Sequence, residues 1–443
     1  MALTPPAKKS VIFFPVLLLF AINILNFYDR LILAALVEPM RREFHLNDTQ
    51  IGLLGSVFIW LYAIMGVPLG RIADSGSRKK LLAWGLAVWA CLTASAAIAA
   101  NFSMLLFSRI GVGLGEAACA PTATSWLGDL FPPEKRSRVL ALFMLGVPVG
   151  SALAAFFGGM IAQAYGWRAT MALAGAPALL LVPALLTLEE PQRGASETNI
   201  AAPAGKSVWN VLRLPTFWWI IASGVFLNFN LYAISTFQQA FLSRVHGLSL
   251  AASGIAAGFV YLIGGVGGGL IAGYLGDFIT LRRKDGRMLC AATAALLAVP
   301  FSSFGILQHA GSLYSTIAFL MLTYCALTSY YGFVYPAIQD IVAPNQRGTA
   351  MAIYFMAMYL CGASFGPVLT GHLSDRLAHR AAELAGSTVV TETFRAVGLQ
   401  QAMLVIPILS AVLAGVLFMG SRTIASDMAQ GEKQVLESAA SGD

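Results

Sequence analysis

The sequence predicts an all-α membrane protein of twelve transmembrane helices, arranged as two pseudo-symmetric six-helix bundles. The first supporting observation is composition. Of the 443 residues, 58% are hydrophobic and only 11% are charged, whereas a soluble chain carries roughly a quarter charged residues. The second is that apolar residues gather into twelve runs of about twenty residues, the length at which a helix crosses a ~30 Å hydrocarbon core. The third is that two polar motifs of the first six runs return in the last six.

The runs lie at approximately 11–37, 49–71, 81–100, 103–127, 139–164 and 169–188, then 215–241, 250–276, 288–307, 312–336, 349–374 and 398–420. Lys8 and Lys9 precede the first run as they would a signal peptide, but Asn23, Asn26, Asp29 and Arg30 interrupt it and no small-residue cleavage pattern follows. It is expected to be a retained span. Between the sixth and seventh runs, Pro191, Gly194, Pro203 and Gly205 mark a polar linker. The expected organisation is therefore a bundle at 1–188, a cytoplasmic linker at 189–214, a bundle at 215–420 and a cytoplasmic tail at 421–443. Trp209 and Leu212 suggest a short interfacial helix before the seventh span or simple anchoring.

Orientation follows from Lys and Arg. Loops on the side of the N-terminus hold Arg71, Arg78, Lys79, Lys80, Lys135, Arg136, Arg138 and the Arg282–Arg287 cluster, while the opposite loops are poorer. Only Arg376, Arg380 and Arg395 run against the trend. The positive-inside rule places both termini in the cytoplasm, and an inner-membrane location is expected. A net charge of +7 spread over such loops is a topology signal rather than a nucleic-acid footprint. The five cysteines lie in apolar stretches and are expected to be reduced.

The repeat is specific. Gly70 and Asp74 after the second span correspond to Gly273 and Asp277 after the eighth, each followed by basic residues. Asp129, Pro133 and Arg136 recur with the same spacing as Asp340, Pro344 and Arg347. A duplicated six-helix half is a recurrent plan of secondary transporters, with substrate held between repeats. Glycines at four-residue spacing, Gly146 and Gly150 in the fifth span and Gly265, Gly269 and Gly273 in the eighth, are expected where helix backbones approach closely.

On Gly70, Asp74, Arg78 and Lys79 the chain resembles the major facilitator superfamily, with Ser77 where that family usually has glycine. The resemblance covers nearly the whole length and implies a cytoplasmic latch. Asp74 would sit near the N-terminus of the eleventh helix, and Arg78 would pair with Asp129. The expected gating residues are Gly70, Asp74, Arg78, Lys79, Asp129 and Asp277, and a solvated topology loop is the competing reading.

Four ionisable residues, Asp29, Arg30, Arg109 and Glu116, fall within spans of the first half. A charge at mid-bilayer costs about 2.5–3.5 kcal/mol on insertion scales, so such groups face a partner or a watery cavity. Asn23, Asn26 and Arg30 form one stripe of the first helix, and Arg109 and Glu116 lie nearly two turns apart on one face of the fourth. Asp29 is expected beside Arg109 or Arg30. Glu116 is expected deeper, without a close cation. The resulting hypothesis gives Asp29 and Glu116 proton exchange, and gives Arg30, Arg109 and Asn26 an anionic substrate group. Structural ion pairs are the alternative. The second half offers Asn228, Asn230, Tyr232, Tyr331 and Tyr359 as a polar and aromatic wall, although such aromatics also serve packing.

Asn26-Phe27-Tyr28-Asp29-Arg30, the stretch Arg109-Ile110-Gly111-Val112-Gly113-Leu114-Gly115-Glu116-Ala117 and Val147-Pro148-Val149-Gly150-Ser151 resemble the spinster branch of that superfamily. The branch moves lysophospholipids and sphingosine phosphates, and its proton and head-group residues carry over to Asp29, Arg30, Arg109 and Glu116. The resemblance implies a proton-coupled transporter of a lysophospholipid or sphingolipid-like substrate, acting as a monomer in the bilayer without cofactor or metal. The Asp-Arg pair and the Arg-to-Glu spacing are also similar to anion:cation symporters, so small organic acids such as sugar acids stay open as cargo. An uncoupled lipid facilitator is the third reading. Nothing points to an enzyme: Gly205-Lys206-Ser207 lacks the upstream glycine of a phosphate loop, and neither a His-Glu-x-x-His helix nor a Gly-x-Ser-x-Gly elbow occurs.

Overall fold

The computed structural model describes residues 9–131, 139–140, 142–192, 211–280, 282–309, 311–342 and 346–440, with side chains described for all of these except 9–13, 74, 277, 280 and 430–440. Pro133, Arg136, Pro344, Trp209 and most of the expected linker lie outside the described residues. So do the side chains of Asp74 and Asp277. The described residues form helices and their connections.

In the first half, α1 spans Lys9–Ala35, α2 Asp48–Ser75 and α3 Arg78–Ser95. The fourth span, α4, covers Phe102–Leu130 as two segments that meet at Ala117 and Ala118. Helix Gly146–Thr187 contains two spans, α5 and α6, divided at Gly166. At 1.5 Å per residue its 42 residues would run about 63 Å, roughly twice the hydrocarbon core. Gly166 breaks it at φ 80°, a left-handed conformation glycine adopts without steric penalty. In the second half, α7 is Pro215–His246, and α8 runs through Leu250–Phe259 and Gly265–Thr280 around a π-helical turn at Val260–Gly264. Then come α9 Gly286–Leu307, α10 Leu313–Ile341, α11 Arg347–Leu384 and α12, which begins at Glu392 and continues as Val405–Ala440. The twelve expected spans are all present.

Several helices outrun their apolar runs because polar residues continue the same hydrogen-bonded ladder beyond the hydrocarbon length. Helix α11 extends through Asp375, Arg376 and Arg380 to Leu384, and α12 continues helical well into the segment expected to be a tail. There Asp427 is buried and accepts the Thr216 N–H at 2.9 Å, capping the start of α7.

The chain divides into two compact units, Met1–His45 with Val57–Ile200 and Leu46–Ser56 with Ala201–Asp443. In the first unit small residues bring backbones together, since lipid tails offer no hydrophobic gain for pairing helices. A Cβ at Gly150 would lie 2.3 Å from the carbonyl oxygen of Ile24, joining α5 to α1. Gly85 and Gly115 face each other across α3 and α4, and Gly113 meets the Phe58 carbonyl of α2 at 2.6 Å from its would-be Cβ. These contacts bring the polar faces of α1, α2, α3 and α4 to one place.

In the second unit Gly362 and Gly366 set α11 against α7, their would-be Cβ atoms 2.3 and 2.4 Å from the carbonyls of Val225 and Phe229. The glycine expectation for α8 needs correction. Gly269 and Gly273 have nothing within 4 Å, whereas Gly264 and Gly268 approach α10 at Met321 and Cys325. Gly264 and Gly268 are spaced by four residues as well, about 100° around the helix from Gly265, Gly269 and Gly273, and spacing alone does not choose between the two faces.

Candidate functional site

Asp29 and Arg30 are neighbours on α1, so their side chains leave the helix about 100° apart. Asp29 turns to α3, where the Thr93 hydroxyl donates to its Oδ2 at 2.5 Å. Arg30 turns to α4, where its Nε donates to Glu116 Oε2 at 2.8 Å. The expectation that Glu116 lacks a close cation is therefore overturned. A guanidinium on its long stem reaches past its own turn of helix, which sequence spacing on α4 alone does not reveal. Arg109 completes the group from α4, its guanidinium and that of Arg30 both lying against the Phe58 ring.

All four groups are buried, Glu116 completely and Arg30 the most accessible at 9%. Two guanidiniums and two carboxylates sum to zero charge, which makes burial tolerable. Aromatic faces hold the cations. The Arg30 guanidinium lies 4.2 Å from the Tyr62 ring centroid, 4.8 Å from Phe27 and 5.3 Å from Phe58, and that of Arg109 lies 5.1 Å from Phe58.

The hydrogen bonding is incomplete. Asp29 Oδ1, Glu116 Oε1, Asn26 Nδ2 and the Nε and Nη1 of Arg109 are buried without a hydrogen-bond partner among the described residues. Buried polar atoms are satisfied in the great majority of cases, and leaving one bare costs about 1–3 kcal/mol. Both donors and acceptors are thus available in one place. Asn23, on the same stripe, donates to the Phe143 carbonyl at 2.6 Å and is occupied.

The second unit presents a separate polar and aromatic cluster. Tyr331 donates to Asn228 Oδ1 at 3.1 Å, and Asn228 Nδ2 donates to the Gly224 carbonyl at 2.9 Å. Tyr232 and Tyr359 meet edge to face at 6.4 Å. Asn230 turns elsewhere, to Ser410 Oγ at 3.1 Å and the Ile406 carbonyl at 3.3 Å on α12. Two residues along a helix are about 200° apart, so Asn228 and Asn230 occupy opposite faces of α7.

At the end of the first unit where α1 begins, Arg78 forms the expected ion pair with Asp129. Sequence reading missed Glu190. Its carboxylate accepts the Arg78 Nε at 3.1 Å, the Arg78 backbone N–H at 3.0 Å and the Ser77 hydroxyl at 2.8 Å, so it caps the start of α3. Burial works against the charge, but these donors and the Lys79 N–H outweigh it and hold the Glu190 carboxyl below its ordinary range. The Lys79 ammonium donates to the carbonyls of Leu186 and Leu188 at the end of α6. Gly70 faces open space. In the second unit the repeat is matched by an ion pair between Arg287 and Asp340. The other missed contributors, Thr93, Phe58 and Tyr62, left only weak signals as ordinary residues of apolar spans. Among the described residues no group of three or more metal-ligating side chains occurs.

Comparison with known proteins agrees with this architecture. A family model described as Major Facilitator Superfamily matches residues 19–367. An MFS-type efflux pump of Mycolicibacterium smegmatis is 33% identical over 362 residues, covering 80% of this chain and 83% of its own. Protein spinster homolog 1 of Homo sapiens is 30% identical over 402 residues, covering 84% and 74% respectively. A crystal structure of a bacterial homolog to the human lysosomal transporter spinster, inward-facing and unoccupied, superposes with a TM-score of 0.86 at 27% identity and covers 95% of this chain and 99% of that one. From the duplicated helical plan and these matches together, the chain belongs to the major facilitator superfamily of transporters, with relatives in its spinster branch.

Proposed function

We propose that the protein is a proton-coupled, alternating-access transporter of an amphiphilic organic anion or zwitterion, such as a lysophospholipid or sphingolipid-like molecule. The observation that carries this reading is the neutral Asp29–Arg30–Arg109–Glu116 group, whose buried donors and acceptors lack a full set of partners. An anionic head group that takes Arg109 and Arg30 competes with Asp29 and Glu116 for them. A carboxylate that loses its cation in a buried site binds a proton rather than stay charged. Cargo and protons are thereby linked through the same two cations, with Asn26 as an additional donor. Asn228, Tyr232, Tyr331 and Tyr359 supply contacts for the rest of the molecule, and Asn230 supports α7 from behind.

The Arg78, Lys79 and Asp129 network, with Gly70, Asp74 and Asp277, is proposed as the cytoplasmic gate. Both termini lie in the cytoplasm of an inner membrane, and the protein works as a monomer. The similar pump of Mycolicibacterium smegmatis is named for efflux, which supports outward transport here. A second reading, proton-coupled symport of small organic acids, draws on the free Arg109 donors, which suit any carboxylate. Flux into proteoliposomes separates the two. Lysolipids should move in preference to sugar acids, faster with an imposed proton gradient, and neutralising Asp29, Arg109 or Glu116 should abolish the dependence on that gradient. Preference for sugar acids selects the second reading, and gradient-independent lipid movement rejects coupling.

A further inference from the structure

Within the second unit, α7 and α12 run antiparallel and are joined near the start of α7 by polar contacts. The Thr216 and Thr423 hydroxyls pair at 2.7 Å, beside the cap that Asp427 places on the Thr216 N–H. Gly420 lets the two helices close further, since a Cβ there would lie 3.1 Å from that of Trp219. Along this seam lies a groove of about 430 Å³, lined by Trp219 of α7 and by Val412, Gly415, Val416 and Met419 of α12. A Cβ at Gly415 would meet nothing within 4 Å, so the absence of a side chain there deepens the groove. Val412, Phe418 and Met419 are each more than 40% exposed, and in a membrane-spanning chain such apolar side chains face lipid. From Val412 to Met419 the groove follows α12 for about 10 Å.

Arg422 completes the lining. It lies two residues beyond Gly420, where the apolar run of α12 ends, and so at the level of the lipid head groups. Trp218, near the start of α7, is 55% exposed and donates its indole N–H to the Leu212 carbonyl at 2.8 Å, a pattern of the membrane interface. An arginine at this level ordinarily extends toward water. Arg422 instead folds back by one turn, its guanidinium 4.8 Å from the Phe418 ring centroid. That guanidinium has no hydrogen bond or ion pair among the described residues. Asp427, the nearest acidic residue along α12, projects about 140° away around the helix and is occupied with Thr216.

The chemistry of the groove selects a lipid by its charge. Acyl chains alone confer little preference, because the bilayer around the protein is equally apolar. A phosphate at the mouth of the groove finds an unpaired guanidinium. A zwitterionic head group also brings a cation, and no acidic side chain lines the groove to receive it. We propose that the α7–α12 groove binds one anionic phospholipid of the surrounding bilayer, with its phosphate on Arg422 and part of an acyl chain along Gly415, Val416 and Met419. The site lies wholly within the second unit, and the inference is independent of the transported substrate and of proton coupling.

Lipid titration tests it. Phosphatidylglycerol and phosphatidylcholine with identical acyl chains are added to the delipidated full-length protein in neutral detergent, and bound lipids are counted by native mass spectrometry. The first phosphatidylglycerol should bind about fivefold more tightly than the first phosphatidylcholine, equivalent to about 1 kcal/mol, the attraction expected of one arginine at a membrane surface. Arg422→Gln should abolish that preference, and Arg422→Lys should keep most of it. Gly415→Leu, which keeps the charge and fills the groove, should weaken binding of both lipids. Because the Arg422 guanidinium has no partner to lose, its variants should melt with the wild type in lipid-free detergent. A second measurement, in vesicles, serves if Gly415→Leu fails to fold. Acyl-brominated phosphatidylglycerol should quench Trp219, read as the difference between wild type and Trp219→Phe, more than brominated phosphatidylcholine does, and Arg422→Gln should equalise the two. Equal affinity for both lipids, a preference that survives Arg422→Gln, or Trp219 quenching that does not distinguish the lipids would overturn the proposal and leave the groove ordinary lipid-facing surface.

Discussion

Replacing Glu116 by Gln keeps the shape of the residue and removes its charge. In the structure Glu116 Oε2 lies 2.8 Å from Arg30 Nε, with side-chain exposures of 0% and 5%. At an effective dielectric of 20, unit charges at that separation attract by about 6 kcal/mol, and removing one partner of such a buried pair costs about 3–5 kcal/mol. A head group that takes Arg30 from Glu116 works against this attraction, and Glu116→Gln lifts the competition. If only a third of the cost is felt by the ligand, anion affinity rises about tenfold. Linkage supplies the second number. When one carboxyl takes up one proton as ligand binds, Kd changes at most about tenfold per pH unit within the titration range. The measurement is binding of a lysolipid and a sugar-acid panel to the purified protein in nanodiscs from pH 5 to 8. Glu116→Gln should tighten binding of the preferred anion and lower the slope of log Kd against pH by as much as one. An unchanged slope with unchanged affinity would refute the competition between carboxylate and cargo. It would leave Arg30–Glu116 a structural pair.

Four other perturbations follow from the geometry. Glu190→Gln removes the capping charge at the start of α3 and should lower thermal stability by about 1 kcal/mol, read in detergent. Because the folded Glu190 is held below its ordinary value of 4.5, its contribution is complete above that pH and is lost as pH falls through the folded value. The stability difference between wild type and Glu190→Gln should vanish at acid pH. Gly150→Leu forces bulk onto the Ile24 carbonyl, 2.3 Å from the first added carbon, and should reduce folded protein recovered from membranes severalfold, as overpacking costs ~1–3 kcal/mol or more. On α7, Asn228→Ala should weaken substrate binding and, because it strips buried hydrogen bonds from Tyr331 and the Gly224 carbonyl, also lower stability by about 1–3 kcal/mol. Asn230→Ala, which strips a hydrogen bond from Ser410, should lower stability by a similar amount, about 1–3 kcal/mol, and leave affinity in place, so that binding separates the two.

Some of this was legible in the sequence for simple reasons. Hydropathy gave the spans because the bilayer imposes one length on every crossing. The repeat of Asp129 in Asp340 was legible because duplication preserves spacing, and each aspartate receives an arginine in the structure, Arg78 and Arg287. The cost of intramembrane charge singled out Asp29, Arg30, Arg109 and Glu116, and the fold brings them together. Partner choice was not legible. Whether Arg30 takes Asp29 or Glu116 depends on where a flexible stem ends after α1, α2 and α4 have packed.

What the sequence by itself determined is thus the number of crossings, the duplication and the set of polar groups that must be shielded from lipid, since each follows from local composition and the cost of desolvation. The tertiary structure alone decided that Glu190 caps α3, that Gly264 and Gly268 rather than Gly269 and Gly273 approach α10, and that Asp48 meets Arg244. Those outcomes depend on helix rotation and on contacts between residues more than fifty positions apart in the chain, and no local pattern encodes either.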